Sequence, residues 1–292
     1  MAIVTPENRG LRLVVRYTVL TIIAVIFCFP LVFMIMSSFK PSQQLLTDTG
    51  SLRAFLPVGD LSFDNYIEAF ARAPIGLFVF NSMFVTGTTV ILTLLICSMT
   101  AFSFVYLKWR GRGLVLSIIL ATLIVPFETI VIPLLLLASK LPWLGLHGIE
   151  WGWLNSYRVQ IIPFVADGLT IFLFVQYFKD LPGELIEAAR VEGASWPQIY
   201  RRIVMPLSGP VMATAAILKF LAMYNSYLWP LMVVQKEQYR PVMVGLQYFF
   251  QLNIAWGEIM AYLSLITVPV LAFYLLLQRA FIASIASTGV KG

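Results

Sequence analysis

The chain has 292 residues, of which 60% are apolar and 12% charged, and its mean hydropathy is +0.87. Soluble domains are about half apolar and about a quarter charged, so this composition excludes an ordinary soluble protein. A spanning helix needs about 20 apolar residues, so the length allows several spans with little chain left for a separate soluble domain.

Three features argue against chemistry on this chain. His147 is its single histidine, so a histidine-based catalytic or metal site is not expected. Cys28 and Cys97 both lie in apolar runs, where a small packing role fits better than a disulfide or a metal pair. No G-x-x-x-x-G-K-[ST] loop is present to hold phosphates. We therefore expect a protein that is not an enzyme and carries no cofactor or metal of its own.

Apolar runs predict an all-α polytopic membrane protein with six transmembrane helices, and each run is long enough to cross a bilayer. Arg9, Arg12 and Arg16 precede the first run, which is too long for a signal peptide and has no small-x-small cleavage site, so it is an uncleaved span. The predicted spans are approximately residues 17–36, 77–107, 114–138, 159–178, 210–234 and 257–277.

The predicted outer loops have distinctive compositions. Residues 37–75 form the longest, and within it the helical spacing of Ser62 to Phe70 predicts a short amphipathic helix capped by Ser62 or Asp64. The tryptophan-rich segment Ser139 to Arg158 is typical of the aromatic belt at a membrane surface.

The distribution of basic residues orients these spans. The predicted cytoplasmic parts hold twelve Lys and Arg and the outer parts hold seven, which indicates that both termini are cytoplasmic. This bias also accounts for the pI of 9.4, so we infer contact with membrane lipid and no nucleic-acid binding.

A polar interruption between the fourth and fifth predicted spans reads as two short helices joined by a sharp turn. Asp180 is placed to cap the first helix, and Glu187 lies near its positive end. Ala188 and Ala189 leave a shallow notch through which another surface could approach the backbone. Gly193 falls where a helix end favours a residue with positive φ.

The second helix of this interruption carries its own start and stop signals. Ser195 and Gln198 have the spacing of a capping box, and Pro197 stands in the first turn where its missing N–H is harmless. Pro206 is predicted to stop the helix. On these features alone, a well-capped cytoplasmic loop and a docking element are equally good interpretations.

The residues of this interruption resemble a known family. The run E-A-A-R-V-E-G-A-S (Glu187 to Ser195), followed by M-P-L-S-G-P (Met205 to Pro210), resembles the EAA loop in the membrane subunits of binding-protein-dependent ABC importers. Only Glu192 departs from the usual Asp, and it keeps the charge.

Further stretches resemble the carbohydrate branch of these permeases, and in particular the maltose-type second permease. The resemblance is strong from Asn81 to Gly292 and weaker over the first span. The matching stretches are Asn81–Thr86, Val125–Pro133, Phe174–Arg190, Tyr224–Leu231 and Gln278–Gly292.

The resemblance implies a type I importer permease whose EAA segment is a coupling helix that docks on a cytoplasmic ATPase. Glu187 would form an ion pair with the ATPase, Ala188 and Ala189 would allow close approach, and Gly193 would make the turn. The full docking set that the resemblance implies is Glu187, Ala188, Ala189, Glu192, Gly193, Ala194 and Pro206.

The same resemblance implies the partners and the location. The expected partners are an ATPase dimer that binds ATP and Mg, a homologous second permease subunit, an extracytoplasmic sugar-binding protein and a sugar. The expected location is the inner membrane of a prokaryote. The expected divisions are residues 1–75 (N-terminal segment, first span and outer loop), 76–279 (transporter transmembrane domain) and 280–292 (cytoplasmic tail).

The tail from Ser284 to Gly292 has two interpretations. Its small, polar composition is typical of a frayed terminus. In maltose-type permeases, however, the matching tail reaches between the ATPase subunits, and the ending S-T-G-V-K-G favours that contact.

Charged residues within the predicted spans are the remaining candidates. Glu128, Asp167 and Lys219 lie near membrane depth, where an unpaired charge costs at least about 2.5 kcal/mol. They could line the substrate path, Asp167 or Glu128 could lie near a membrane interface, or one acid could pair with Lys219 and hold two spans together. An ion-coupled secondary transporter that uses these three groups is the competing class of protein.

Tyr224, Asn225 and Tyr227 are the other candidates for the substrate path. The fifth span of such permeases lines the cavity, and amides and aromatic faces hold sugars. An amide in a span is also common as a contact between helices. The sequence does not name the sugar, and a glycerol phosphodiester or sugar phosphate is open as well.

Overall fold

The computed structural model describes residues 7–145, 148–250 and 254–289, so His147 lies outside the described residues. Within those ranges the chain is mostly helical. The α-helices, in chain order, are α1 (Glu7–Ser38), α2 (Ser42–Asp48), α3 (Asp64–Arg72), α4 (Ile75–Tyr106), α5 (Arg112–Ala121), α6 (Phe127–Ala138), α7 (Tyr157–Ile161), α8 (Gly168–Lys179), α9 (Gly183–Val191), α10 (Trp196–Ile199), α11 (Met205–Leu207), α12 (Gly209–Tyr224), α13 (Leu228–Val233), α14 (Val242–Gly245) and α15 (Trp256–Gly289).

Three described helices are long and apolar enough to cross a membrane as single rods. They comprise Arg12–Ser38 within α1, the whole of α4, and Trp256–Arg279 within α15. Three bent pairs pass the same test when each pair is counted as one span, which gives up to six. The bent pairs are Arg112–Ile124 with Phe127–Ala138, Tyr157–Phe164 with Gly168–Lys179, and Trp196–Leu207 with Gly209–Tyr224.

The third predicted span is broken in its middle rather than continuous. Its two halves meet at 105°, and the break falls at Val125 and Pro126. A proline forces the preceding residue out of the helical region, and Val125 accordingly has ψ of 116°. The fifth predicted span is interrupted too, because α12 ends at Tyr224 and α13 begins only at Leu228.

The prediction of an all-α chain is wrong in one place. Residues Pro142–Gly145 (β1) and Gly148–Trp151 (β2) pair antiparallel, with Pro142 opposite Trp151. This short hairpin lies in the tryptophan-rich loop, where helical periodicity is absent.

One compact unit comprises residues 1–75 and 246–267, and polar contacts hold it together. The buried Lys40 ammonium lies 3.0 Å from Asp48 Oδ2, and this hydrogen bond is the main cause that holds the pKa of Asp48 below its ordinary value. Arg72 Nε lies 3.0 Å from Glu258 Oε2. The predicted outer loop is therefore an ordered element with its own charge pairs.

The amphipathic helix expected in that loop is present as α3. Asn65, on its buried side, donates to the carbonyl oxygens of Ser38 at 2.9 Å and Lys40 at 2.8 Å. The predicted cap is wrong, because the N-cap position is Phe63, which offers no side-chain oxygen. Ser62 Oγ accepts only a long 3.3 Å bond from the Asp64 N–H.

The second unit comprises residues 76–245 and 268–292. Its main apolar core is built from α4, α8, α9, α10 with the turn that follows it, and the start of α12. The fully buried members include Cys97, Phe174, Phe178, Ile199 and Val204. Burial of aromatic and branched side chains at this junction fixes the residues between α8 and α12 on the ends of the long helices.

Candidate functional site

The polar interruption folds into a helical hairpin of residues 183–207, called here the polar hairpin. Its first helix, α9, begins after Pro182, whose φ of −58° suits a helix start. The expectation that Asp180 caps this helix is wrong. The N-cap position of α9 is Pro182, and Asp180 is instead the C-cap residue of α8, with its N–H donating to the Tyr177 carbonyl at 3.1 Å.

The turn after α9 closes with two backbone hydrogen bonds of the Schellman type. The Ala194 N–H donates to the Ala189 carbonyl at 2.9 Å, and the Gly193 N–H donates to the Arg190 carbonyl at 3.1 Å. Gly193 has φ of +84°, which confirms the predicted positive φ. The carbonyl groups of Ala189 and Arg190, near the end of α9, are thus satisfied within the hairpin.

Arg190 braces the same turn. Its Nη1 donates to the Ala194 carbonyl at 2.8 Å, and its guanidinium carbon lies 4.7 Å from the centre of the Trp196 ring. The side chain thereby links the end of α9 to the start of α10 by one hydrogen bond and one cation–π contact.

The start of α10 confirms the predicted capping box. Gln198 Oε1 accepts from the Ser195 N–H at 2.7 Å and from Ser195 Oγ at 2.9 Å, and Pro197 lies in the first turn. Together with the hydrogen bonds of the preceding turn, this box satisfies backbone groups where α9 ends and α10 begins.

Pro206 does not stop the second helix where predicted. Residues Tyr200–Val204 form a π-helical turn, and the Met205 N–H bonds to the Tyr200 carbonyl five residues back. The wider turn makes room for the proline ring, so helical structure continues to Leu207. The direction then changes by 77° into α12, next to the buried Ser208, whose hydroxyl donates to the Val204 carbonyl at 2.6 Å.

The polar hairpin has an inner and an outer face. Ile186 and Ala189 are buried in the core, whereas Glu187 and Ala188 are exposed. Val191 is 90% exposed, which is unusual for a branched apolar side chain on a packed element. The two alanines therefore differ: Ala189 packs inward and Ala188 faces outward.

The remaining residues of the expected docking set border this outer face. Glu192, Gly193 and Pro206 are exposed, and Ala194 is half-buried. A groove beside the turn is lined by Ala189, Glu192, Gly193, Ala194, Gln198, Ile199, Arg202 and Ile203. The site combines a carboxylate, small side chains and exposed apolar surface on one rigid element.

The charged residues of the spans are not brought together into one site. Lys219 Nζ lies 2.9 Å from Asp167 Oδ2, and Lys219 is only 9% exposed. Asp167 is also the N-cap residue of α8, since its Oδ1 accepts from the Thr170 N–H at 2.9 Å. The pairing interpretation is confirmed for these two, whereas Glu128 is exposed in the first turn of α6.

The substrate-path candidates around the break in the fifth span are also separated, because one is buried and two are exposed. Tyr224 is buried, and its ring stacks on Phe220 at 5.4 Å, which in turn stacks on Phe273 at 3.9 Å. Asn225 and Tyr227 are exposed in the interruption between α12 and α13. Asn225 and Tyr227 therefore lie at the surface of this chain, whereas the ring of Tyr224 is packed.

A polar clamp on residues 235–242 was not predicted. Asn81 Nδ2 donates to the carbonyls of Gln238 at 3.0 Å and Arg240 at 2.9 Å, and Tyr157 donates to Asn81 Oδ1 at 2.7 Å. Asn155 Oδ1 accepts from two further N–H groups of this loop. These partners are main-chain groups far along the chain, and no sequence pattern signals them.

The fold of this chain is found in a solved transport protein. The chain matches the structure of a bacterial ABC transporter involved in the import of the acidic polysaccharide alginate, with a TM-score of 0.77 and 21% identity. The match covers 96% of this chain and 100% of that one.

This chain belongs to the family of binding-protein-dependent transport system inner membrane components, whose model matches residues 93–287. It is 34% identical to the arabinooligosaccharides transport system permease protein AraQ of Halalkalibacterium halodurans, over 92% of this chain and 93% of that protein. It is 30% identical to the lactose transport system permease protein LacG of Rhizobium radiobacter, over 95% and 96%. The resemblance inferred from the EAA-like run is confirmed.

Proposed function

We propose that this chain is a permease subunit of an ATP-driven importer for a carbohydrate, in a prokaryotic inner membrane with both termini cytoplasmic. It forms half of the translocation path beside a homologous second permease. The observation that carries this proposal is the polar hairpin, a rigid element with an exposed acidic and apolar face placed between two spanning segments.

The polar hairpin is suited to transmit movement from a cytoplasmic ATPase dimer. Its ends are satisfied internally, so the exposed Glu187, Ala188 and Val191 are left for a partner. Its buried side packs into the core shared with α4 and α8, which ties any displacement of the hairpin to those helices. A displacement by closure of the dimer would therefore move the spans as rigid bodies.

The Asp167–Lys219 ion pair supports this mechanical interpretation. Asp167 caps the start of α8, which leads into the polar hairpin, and Lys219 lies on α12, which leads out of it. The pair joins the two flanking helices away from the hairpin. A rigid connection at that point favours shared movement of α8 and α12.

The substrate that we propose is a neutral oligosaccharide, delivered by an extracytoplasmic binding protein. Relatives are named for arabinooligosaccharides and lactose. The Lys219 ammonium is already held by Asp167, so it does not offer a free cation for a phosphate group. Asn225 and Tyr227, exposed at the break, offer an amide and an aromatic face of the kind that hold sugars.

An ion-coupled transporter is less well supported. It would need Glu128, Asp167 and Lys219 as titrating groups along one path. Two of these neutralise each other at 2.9 Å, and Glu128 lies on a different helix. The family also takes its name from systems that depend on a binding protein.

Transport in proteoliposomes tests the proposal. The complex would be purified through a tag on this chain, reconstituted, and supplied with a binding protein from the same organism and a panel of radiolabelled oligosaccharides. We expect uptake that requires both enclosed ATP and the binding protein. Uptake driven by a proton or sodium gradient without ATP would overturn the proposal and establish the competing class.

A further inference from the structure

The short helix α3 carries a row of large apolar side chains that the described residues leave mostly exposed. Phe63, just before the first turn, is followed by Ile67 and Phe70 at spacings of four and three residues, so the three share one side of the helix. They are 67%, 66% and 54% exposed. A single exposed apolar residue is ordinary, but a row of three on one short helix indicates a surface that has a partner. This row is called here the apolar stripe.

The apolar stripe faces away from the protein. A helix turns by about 100° per residue, which places the stripe on the side opposite the buried Asn65 and Ala69. The exposed carboxylates of Asp64 and Glu68 lie on one flank between these two sides and form an acidic stripe. The exposed surface of α3 is therefore divided into an apolar part and a charged part.

Contacts on its buried side fix α3 at the ends of two spanning helices. Asn65 donates to the carbonyl oxygen of Ser38, the last residue of α1, at 2.9 Å. Arg72 Nε lies 3.0 Å from Oε2 of Glu258, which stands in the first turn of α15. Gly257 allows this close approach, because a Cβ at that position would collide with the Asn65 amide. Since one span ends and another begins beside α3, the helix lies at the level of a membrane surface.

The flank opposite the acidic stripe shows which way α3 is turned. Tyr66 lies on that flank, and its hydroxyl oxygen is 2.8 Å from Ser38 Oγ at the end of α1. Its ring centre is 5.4 Å from that of Phe39, which also meets Phe63 edge-on at 5.3 Å. The Tyr66 flank therefore points toward the spanning helix, and the acidic stripe points away from it, toward water. An aromatic cluster at this level is typical of a membrane interface.

We propose that the apolar stripe is immersed in the lipid leaflet at which α1 ends, so that α3 is an interfacial anchor. The helix α1, to which α3 is bonded, continues this surface into the membrane, since an apolar stretch of 18 residues in it has no buried member. The acidic stripe offers no attraction to anionic headgroups, so the contact depends on buried apolar area, and the ligand is the acyl-chain region of the leaflet. The inference goes beyond the proposed function and needs only that α1 and α15 span the membrane.

Spin labels in the assembled complex test this anchor. Ile67→Cys would carry a nitroxide, with the other cysteines of the complex replaced, after reconstitution into phosphatidylcholine vesicles. We expect the nitroxide to collide more often with dissolved oxygen, which concentrates in lipid, than with a water-soluble nickel chelate. Glu68→Cys, the next residue but on the acidic stripe, is the matched control and should show the reverse order. A label at residue 67 that meets the nickel chelate as readily as the label at residue 68 would overturn the proposal.

The same labels distinguish lipid from a protein that covers the stripe. Under a second permease, the label of Ile67→Cys would be shielded from both reagents in the complex itself. Under a binding protein, it would become shielded only when that protein is added. Either result contradicts the lipid contact, whereas unchanged access to oxygen supports it. Phe70→Cys supplies a second label on the apolar stripe and should repeat the result at Ile67. No transported sugar is needed, so the outcome is independent of the proposed function.

Discussion

The polar groups of the polar hairpin and those within the spans differ in where their hydrogen-bond partners lie in the sequence. In the hairpin, backbone ends are satisfied by bonds across three to five residues, so the carboxylate of Glu187 stays exposed. In the spans, Asp167 and Lys219 pair across 52 residues, although Asp167 also accepts a local bond from Thr170, and Asn81 is held by partners 76 or more residues away. Polar groups that are satisfied locally leave a face for a partner, whereas polar groups that are satisfied at long range hold the fold together.

The largest effect is expected at Glu187, the proposed contact with the ATPase. Glu187→Arg reverses the charge of an exposed side chain, so folding should be unchanged while the proposed ion pair with the ATPase becomes repulsive. We expect ATP-driven uptake to be abolished and copurification of the ATPase to fall. Both are measured on the tagged complex, by transport in proteoliposomes and by quantitative immunoblotting.

Asp64→Arg is the control for that reversal. Asp64 is an exposed carboxylate in the first turn of α3, which the charge bias assigns to the opposite side of the membrane. It should leave uptake and subunit stoichiometry at wild-type values. Wild-type uptake in Glu187→Arg would remove the docking role from that residue.

Changes to the Asp167–Lys219 ion pair should have the opposite effect to Glu187→Arg. They should lower the stability of the complex before they weaken the binding of any partner. Asp167→Asn leaves the Lys219 ammonium, 9% exposed, without its counter-ion. Removal of one partner of a buried pair costs on the order of 3 kcal/mol, and the partial exposure of Asp167 places this case toward the low end. Thermal unfolding of the solubilised complex measures the loss.

The double variant Asp167→Asn with Lys219→Met separates the pair from its members. It removes both charges, so it should recover part of the stability lost in Asp167→Asn. If the two single changes simply add in the double variant, the two groups do not interact and the structural role assigned to the pair is wrong.

The same contrast explains how far the sequence could be read. Gly193, the Ser195–Gln198 box and the short helix α3 follow from local backbone preferences, and the structure has all three. The π-helical turn before Pro206 was missed because proline is read as a stop, although a wider turn accommodates its ring. The hairpin β1–β2 was missed because the composition of its loop indicated only an interfacial belt.

The contacts within the spans could be predicted only as alternatives. Lys219 could have paired with Glu128 or Asp167, and only the packing of α8 against α12 decides between them. The clamp by Asn81 and Asn155 binds main-chain groups, which any residue supplies, so its partners leave no trace in the sequence.

Asn225 lies on the boundary between the two kinds of polar group. It is exposed at the break after α12, so it is expected to contact substrate rather than to hold helices together. Asn225→Leu should change the substrate-stimulated ATPase activity by about tenfold, which corresponds to about 1.4 kcal/mol. The complex should still assemble. Tyr224→Phe changes the buried neighbouring residue and should have a smaller effect on transport. Wild-type activity in both variants would show that Asn225 does not contact the substrate.

The smallest expected effect concerns the turn of the polar hairpin. Gly193 has φ of +84°, and no atom lies within 4 Å of a Cβ placed there, so a side chain would be strained by the backbone alone and not by a clash. Gly193→Ala should therefore lower the stability by about 1 kcal/mol, and Gly193→Asn should lower it less because asparagine tolerates this conformation.

Gly183→Ala is the matched control for Gly193→Ala. A Cβ at Gly183 also meets open space, the φ of Gly183 is outside the left-handed region, and alanine favours a helix. The ratio of sugar transported to ATP hydrolysed should fall in Gly193→Ala and stay constant in Gly183→Ala, because only the first change loosens the link between α9 and α10. A constant ratio in both would mean that the hairpin transmits force without a rigid turn, and that the local bonds of this region serve folding, as the long-range bonds in the spans do.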